Sequence, residues 1–369
     1  MVTAECNLRC RYCYVPRKSS PIMPPEYGRR AIERALNSLA AGGRLELGFF
    51  GGEPLLAPAW LHEMADYAAR RCRQTGHSLA VQVSTNATAA GGDAWTFLLR
   101  DDVQVAVSCD GPPDVHDRNR RTISGAGSWR QTAATLRRLL AAGREPWALM
   151  VVGPNTVAAL PRSVRFLADM GARTLQPSLD LWTRWSAADL GALEQALGRC
   201  ADLWRQASGR LSIGWFDEMA AAMAGIPRRD CARCGFGAGQ VAVTPSGRLY
   251  PCERLVGGDE SDGPWRLEGH VATGDDFLGY LPSPSRSDPA CDRCTIRAFC
   301  STTCRCSNIV RTGDPARPDR LLCHLNQVCF RELCRVLDAT GCDDPKAVGP
   351  SRTRKDHCYE SDRQSRVSR

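Results

Sequence analysis

From residue 45 to residue 207 the chain alternates short apolar runs with amphipathic stretches, and this alternation restricts the fold more than any other feature. Residues 45–50, 79–84, 103–108, 147–152 and 174–179 have the length and the apolar, β-branched or aromatic content of strands. Helical spacing fills the intervals, at about 58–74, 94–99, 129–142, 157–170 and 187–207. An earlier helix opens at Pro24-Pro25-Glu26 and stops at Gly42-Gly43, with proline at its start and glycine past its end. Strands alternating with helices predict a parallel α/β sheet. Residues 1–5 are short, and counting them as a clipped first strand brings the expected strands to six.

Cysteine is the second constraint, with 19 in 369 residues. A secreted disulfide framework is one way to use so many. No charged-then-apolar leader precedes Cys6 and no apolar run approaches a membrane span, so the expectation is a cytoplasmic protein whose cysteines hold metal. The first group is Cys6-Asn7-Leu8-Arg9-Cys10-Arg11-Tyr12-Cys13. Three thiolates can hold three irons of a four-iron cube and leave the fourth open to a small molecule, with Tyr12 lying against whatever binds there. The alternative is a buried stripe on one helix, since Cys6, Cys10 and Cys13 stand at i, i+4 and i+7. Arg9, Arg11 and Pro16 make that helix a poor one.

This CxxxCxYC pattern resembles the signature of the radical S-adenosylmethionine (radical SAM) enzymes. The resemblance implies an α/β fold, a partial (β/α)6 barrel with its reactive centre at the C-terminal ends of the strands. It also implies a 4Fe-4S cluster whose open iron is chelated by S-adenosylmethionine, and a 5'-deoxyadenosyl radical released on reduction that takes hydrogen from a substrate. Further matches fall at successive predicted strand ends. Gly51-Gly52-Glu53-Pro54 resembles the GGEP motif, whose glycines let backbone approach the methionine amino group. Ser84-Thr85-Asn86 resembles the STN segment that hydrogen-bonds the cosubstrate in relatives. Ser108, Asp110, Gly111, His116, Asp117 and Arg120 resemble S-x-D-G…H-D-x-x-R, where Ser108 would reach the ribose and Arg120 a carboxylate. Tight turns and polar loop caps are the plain alternative for each. Cys109, inside this set, reads as a small buried side chain.

From about residue 209 the alternation stops and cysteines crowd: Cys231-x2-Cys234, then Cys252, then Cys291-x2-Cys294-x5-Cys300-x3-Cys304, then Cys323. Paired CxxC units alone are compatible with zinc ribbons. The whole order, with Gly247 five residues before Cys252 and Thr312-Gly313-Asp314 before the last cysteine, resembles the SPASM domain of radical SAM peptide and protein maturases. That resemblance implies two auxiliary 4Fe-4S clusters, one on Cys231, Cys234, Cys252 and Cys304, the other on Cys291, Cys294, Cys300 and Cys323. Thr302-Thr303 stands where relatives often have Gly-Gly, and Cys306 is a spare neighbour of Cys304. Cys72, Cys200, Cys329, Cys334, Cys342 and Cys358 fit no ligand pattern. In anaerobic sulfatase-maturating relatives an acid after the cysteine matching Cys252 serves as base, which makes Glu253 a candidate catalytic residue. An ion pair of Glu253 with Arg254 or Arg248 is the alternative.

The expected division is a barrel over 1–208, a cysteine-rich domain over 209–335 and a basic, disordered tail over 336–369. Of the net charge of +8, residues 346–369 carry +4, so half of the excess is a tail rather than a nucleic-acid surface. The leading functional expectation is a radical SAM/SPASM maturase that abstracts hydrogen from a peptide or protein residue, giving oxidation or crosslinking. Its partners would be that peptide or protein and a flavodoxin- or ferredoxin-like electron donor; since no recognition domain fits before Cys6, the peptide would bind the barrel, the cysteine-rich domain or a separate peptide-recognition protein. No membrane or nucleic-acid partner is expected. A small-molecule or tetrapyrrole substrate is one alternative, and a non-catalytic cluster- or zinc-binding protein is the other.

Overall fold

The computed structural model describes residues 1–16, 18, 21–226, 236–237, 239–259, 263–278, 288–300 and 304–337. Cys231, Cys234, Thr302, Thr303, Cys342, Cys358 and nearly all of the expected tail lie outside the described residues.

Helix α1 (Pro25–Asn37) leads into five β/α repeats. These are β1 (Arg44–Phe49), α2 (Pro58–Thr75), β2 (Ser78–Thr85), α3 (Gly92–Leu98), β3 (Val103–Ser108), α4 (Pro113–Asn119), α5 (Trp129–Ala141), β4 (Trp147–Val152), α6 (Leu160–Asp169), β5 (Thr174–Leu179) and α7 (Ala187–Gln206). A two-residue strand, β6 (Ser212–Ile213), then runs into α8 (Gly214–Met223). The sheet order is β1-β2-β3-β4-β5-β6 with every pair parallel, so the expected α/β partial barrel is present and β1 and β6 are its edges.

The sixth strand is not the one expected. Residues 1–5 form no strand; they run beside the segment after β1, through Val2 N–H to Phe50 O (2.8 Å), Gly52 N–H to Thr3 O (2.7 Å) and Glu53 N–H to Glu5 O (2.8 Å). β6 makes up the count because Ser212 and Ile213 pair with Thr174 and Leu175 of β5.

Period two along each strand separates two faces. Val83, Val105, Val107, Ala148, Met150 and Leu175 are buried beneath Leu61, Met64, Phe97, Leu98, Leu136, Leu139 and Leu167 of the helices. Cys72, Cys109, Cys200 and Cys329 belong to this core, which supplies the role that no ligand pattern gave three of them. The alternate residues, including Gln82, Ser84, Gln104, Ser108, Gln176 and Ser178, are half-buried on the other face. So polar a face is suited to a ligand rather than to a second packing layer.

The cysteine-rich part holds little regular structure: an antiparallel pair of two-residue strands, β7 (Ala242–Val243) and β8 (Leu249–Tyr250), then α9 (Pro289–Asp292), α10 (Arg305–Thr312) and α11 (Arg320–Val336). It is fastened to the barrel at several places, among them α11 and α1. Val328, Cys329 and Leu333 of α11 join the barrel core, and Arg331 and Arg335 pair with Glu194 and Asp202 of α7 at 2.6 and 2.8 Å. Arg34 of α1, buried, donates to Asp276 O from Nε (3.0 Å) and Nη2 (2.6 Å) and to His270 O from Nη1 (2.9 Å), with its guanidinium 4.3 Å from the Phe277 ring centre. Among the described residues no helix is long and apolar enough to cross a membrane.

Candidate active site

Residues 6–13 are not a helix, which removes the stripe alternative. The chain turns back at Cys13 N–H to Cys10 O (3.2 Å) and lies along the segment after α4, with Arg9 N–H to Arg121 O (2.6 Å) and Arg11 N–H to Asn119 O (3.0 Å). The turn brings three free thiols into one neighbourhood. Burial raises the Cys6 thiol and pushes Cys10 up to about 12, and each has another thiol of the set as a neighbour that raises it further. Lys18 Nζ donates to Cys13 Sγ at 2.8 Å. Among the described residues no three His, Cys, Asp or Glu side chains converge on a point that one bare ion could occupy. A cube that takes each thiolate on a different iron does not need such a point, and it removes the protons that burial keeps on these sulfurs. The thiols therefore fit a four-iron cluster better than a mononuclear metal.

Around this loop the strand ends are already braced. Glu53, with no exposed surface, accepts from Leu55 N (3.0 Å), Thr85 Oγ1 (2.6 Å) and Asn86 N (2.7 Å), so one carboxylate ties the segment after β1 to the end of β2. Burial raises its pKa although all three bonds favour the charged form. The glycines before it answer a steric demand within the chain. A Cβ on Gly51 would lie 2.2 Å from Thr3 O, and one on Gly52 1.9 Å from Glu5 O. Asn86 Nδ2 donates to Asn7 Oδ1 (2.9 Å) and approaches Cys6 Sγ (3.7 Å), while Asn86 Oδ1 takes Thr88 N–H and Oγ1–H.

Asp110, at the end of β3, collects four donors: Tyr12 Oη (2.5 Å), Arg120 Nε and Nη2 (3.0 Å each) and Val151 N (2.9 Å). Arg120 thus meets a carboxylate of the chain itself, in a buried bidentate pair, with its guanidinium 5.3 Å from the Tyr12 ring centre. His116 is fully buried and lowered to about 4 by that burial, hence neutral. Its Nδ1 accepts Asp110 N–H (3.4 Å), Nε2–H donates to Ser128 Oγ (3.0 Å) and Ser128 donates to Arg120 O (2.8 Å). Asp117 takes the N–H groups of Ser128 and Trp129 at the start of α5, both at 2.8 Å. Ser84 and Ser108 stand half-buried on the polar strand face, and Pro54 opens a short 3-10 turn.

Tyr14 joins this site to the cysteine-rich part. Its hydroxyl is raised by burial and then by Glu253 and Cys13, which places it between the first cysteine loop and the turn after β8. Its ring stacks on Trp182, 5.8 Å between centres, and Trp182 is exposed at the mouth beyond β5. The spacing of the cysteines carries no signal for this pair. Glu253 Oε2 accepts from Gln240 Nε2 (3.0 Å) and Cys252 Sγ (3.6 Å). The expected ion pair with Arg248 is absent, because Arg248 is held by Asp259 and Ser246. Arg254 donates to Ser307 Oγ (3.4 Å).

The remaining described thiols fall into two groups. Cys323, raised to about 11 by burial, has Cys300, Cys291 and Cys294 as neighbours. Cys304 and Cys306 lie 3.4 Å apart at Sγ, with Cys252 also hydrogen-bonded to Cys306. Cys306, two residues beyond Cys304, is the spare neighbour that could substitute for Cys304 in the expected ligand set.

Residues 1–167 match the family model of the radical SAM superfamily. The cysteine-type anaerobic sulfatase-maturating enzyme of Clostridium novyi is 24% identical over 322 residues, covering 82% of this chain and 86% of that protein. The serine-type enzyme of Klebsiella aerogenes is 28% identical over 329 residues, covering 81% and 76%. The solved structure of native anSMEcpe with bound AdoMet superposes with a TM-score of 0.76 over 91% of this chain and 96% of that one, at 21% identity. Streptococcus suis SuiB bound to precursor peptide SuiA reaches 0.61 over 87% and 74%, at 14% identity. S-adenosylmethionine and a 4Fe-4S cluster are accordingly the cofactors of this chain. Residues 1–167 are thus a radical SAM domain, and along most of its length the chain is homologous to the anaerobic sulfatase-maturating enzymes.

Proposed function

We propose that this enzyme modifies a peptide or protein, abstracting hydrogen from one residue in an oxidation or crosslinking reaction. The observation that carries the reading is the position of Tyr14, which sets the Cys252–Glu253 turn of the cysteine-rich part beside Cys13. The similarity to sulfatase-maturating enzymes, and to a structure of anSMEcpe solved with bound peptide, supports the substrate class.

When bound and reduced by one electron, S-adenosylmethionine supplies a 5'-deoxyadenosyl radical that abstracts hydrogen. The chain supplies the rest. Cys6, Cys10 and Cys13 hold the cluster. Gly51, Gly52, Glu53, Pro54, Ser84, Asn86, Ser108, Asp110, Arg120 and Tyr12 shape the cosubstrate site at the ends of β1, β2 and β3, where the buried braces keep its walls in place. Glu253 takes a proton from the oxidised substrate on Oε1, the oxygen that Gln240 leaves free of a described partner. The auxiliary clusters take Cys231, Cys234, Cys252 and Cys304, and Cys291, Cys294, Cys300 and Cys323. We also read the chain as a barrel to about residue 208, to which β6 and α8 add a last repeat, followed by a cysteine-rich unit and a basic tail. A flavodoxin- or ferredoxin-like donor and a separate peptide-recognition protein complete the assembly, in the cytoplasm.

Anaerobic reconstitution followed by incubation with serine- and cysteine-containing peptides tests this reading. About twelve irons per chain, 5'-deoxyadenosine that disappears in Cys13→Ala, and a mass change in the peptide are expected. For Glu253→Gln we expect deoxyadenosine formation to continue while modified peptide falls about 100-fold. Cosubstrate cleavage without change in any peptide, together with turnover of a small molecule, would overturn the peptide assignment.

A further inference from the structure

The outer side of the first cysteine loop carries an unbalanced charge. Arg9 and Arg11 alternate with the cysteines in sequence and are exposed. Their backbone N–H groups bond to Arg121 O and Asn119 O, and Leu8 forms an antiparallel bridge with Thr122. This lays the exposed residues Arg118 and Arg121 beside them. Three of the guanidinium groups are held by backbone carbonyls rather than by acids: Arg9 Nη1 by Cys6 O (2.6 Å) and Leu8 O (2.9 Å), Arg118 Nη1 by Asn155 O (2.6 Å), Arg121 Nη1 by Gly125 O (3.0 Å). None of the four forms an ion pair among the described residues. The nearest acids in sequence are Glu5, which is exposed, Asp117, one of whose oxygens is occupied by Ser128 N–H and Trp129 N–H, and Asp114, one helical turn before Arg118, which pairs with Arg162 and is lowered chiefly by it and to a smaller extent by Arg118.

We propose that Arg9, Arg11, Arg118 and Arg121 form the docking surface for an acidic one-electron donor protein. The inference rests on the radical SAM reading, which requires an electron from outside the chain. One electron passes from the donor, oxidised by one, to the cluster, reduced by one, and no bond forms or breaks. The geometry favours this surface because its backbone is the cysteine loop itself, so a partner seated on it is separated from the cluster by one layer of chain. The substrate mouth, by contrast, lies at the strand ends, where Trp182 is exposed. Four clustered guanidinium groups with no ion pair among the described residues attract a negative partner over about one Debye length, roughly 10 Å at 0.1 M salt, and accelerate encounter. A surface of this kind determines association rate and its salt dependence more than affinity.

The test uses the full iron-loaded chain and follows cluster reduction by absorbance in a stopped-flow instrument. One reductant is reduced flavodoxin and the other an uncharged deazaflavin radical. The variants are Arg118→Glu, Arg121→Glu and the pair, all outside the cysteine loop. We expect reduction by flavodoxin to slow about tenfold or more in the double variant, to lose most of its salt dependence, and to leave the deazaflavin rate unchanged. Equal flavodoxin rates in wild type and double variant would overturn the proposal, as would equal losses with both reductants. Salt-sensitive binding of single-stranded RNA that the double variant abolishes, with flavodoxin kinetics unaltered, would assign the surface to nucleic acid instead. A chain whose iron the deazaflavin cannot reduce would overturn the radical SAM reading itself, and the docking surface with it.

Discussion

The barrel end and the cysteine-rich part hold the same kind of residue in opposite ways. At the strand ends, polar side chains find partners inside the chain: Glu53 has three donors and Asp110 four, from their own segments, from neighbouring repeats and, in Tyr12, from the cysteine loop. In the cysteine-rich part the regular strands are two residues long, and the thiols have mainly one another. Buried hydrogen-bonded carboxylates organise a site before any ligand arrives. Neighbouring thiols do not, since each makes its neighbour harder to ionise until a metal takes both. The barrel is thus built by its core, and we propose that the second region is built by the clusters it binds.

The largest effect should come from removing metal. Chelation, or Cys291→Ala or Cys323→Ala, should unfold the region from 236 to 300 and leave residues 1–223 resistant to limited proteolysis. Simultaneous loss of both regions would break the comparison. Next in size is Glu53→Ala, which strands Leu55 N–H, Thr85 Oγ1–H and Asn86 N–H in the core. At about 1–3 kcal/mol per buried unsatisfied group, the barrel's unfolding transition should lose about 3 kcal/mol or more, and Glu53→Gln less.

His116 sharpens the comparison through pH. Its folded pKa of about 4 lies below the ordinary 6.5, so the unfolded chain binds more protons between those values. Stability is complete above about pH 6.5 and falls as pH drops toward 4, by up to about 3 kcal/mol. Thermal melts across that window should show the slope, and His116→Gln should flatten it. The smallest effect is Ser186→Ala. Ser186 accepts from Asp189 N–H and completes a capping box at the start of α7; its loss should cost the barrel about 1 kcal/mol.

Much of this architecture was legible in the sequence. Strands at 103–108, 147–152 and 174–179 coincide with β3, β4 and β5 because apolar content over six residues is a local property. β6 was not legible: two residues carry no pattern, and Ser212–Ile213 is a strand only because β5 accepts it. α4 was hidden because its residues were read as a polar motif. The crowding of Gly51 and Gly52 by Thr3 and Glu5 was not legible either, because it is a contact between distant segments.

What the sequence determined by itself is the repeat of strands and helices, the three-cysteine loop and the order of the later thiols, because periodicity and ligand chemistry reside in neighbouring residues. Tertiary structure alone decided the partners. Arg120 turns to Asp110, Arg248 to Asp259 rather than Glu253, Arg34 reaches across to the carbonyls of His270 and Asp276, and Tyr14 stands between two cysteine groups. A buried charge or hydroxyl bonds to whichever complementary group packing brings within about 3 Å, and that group can lie hundreds of residues away.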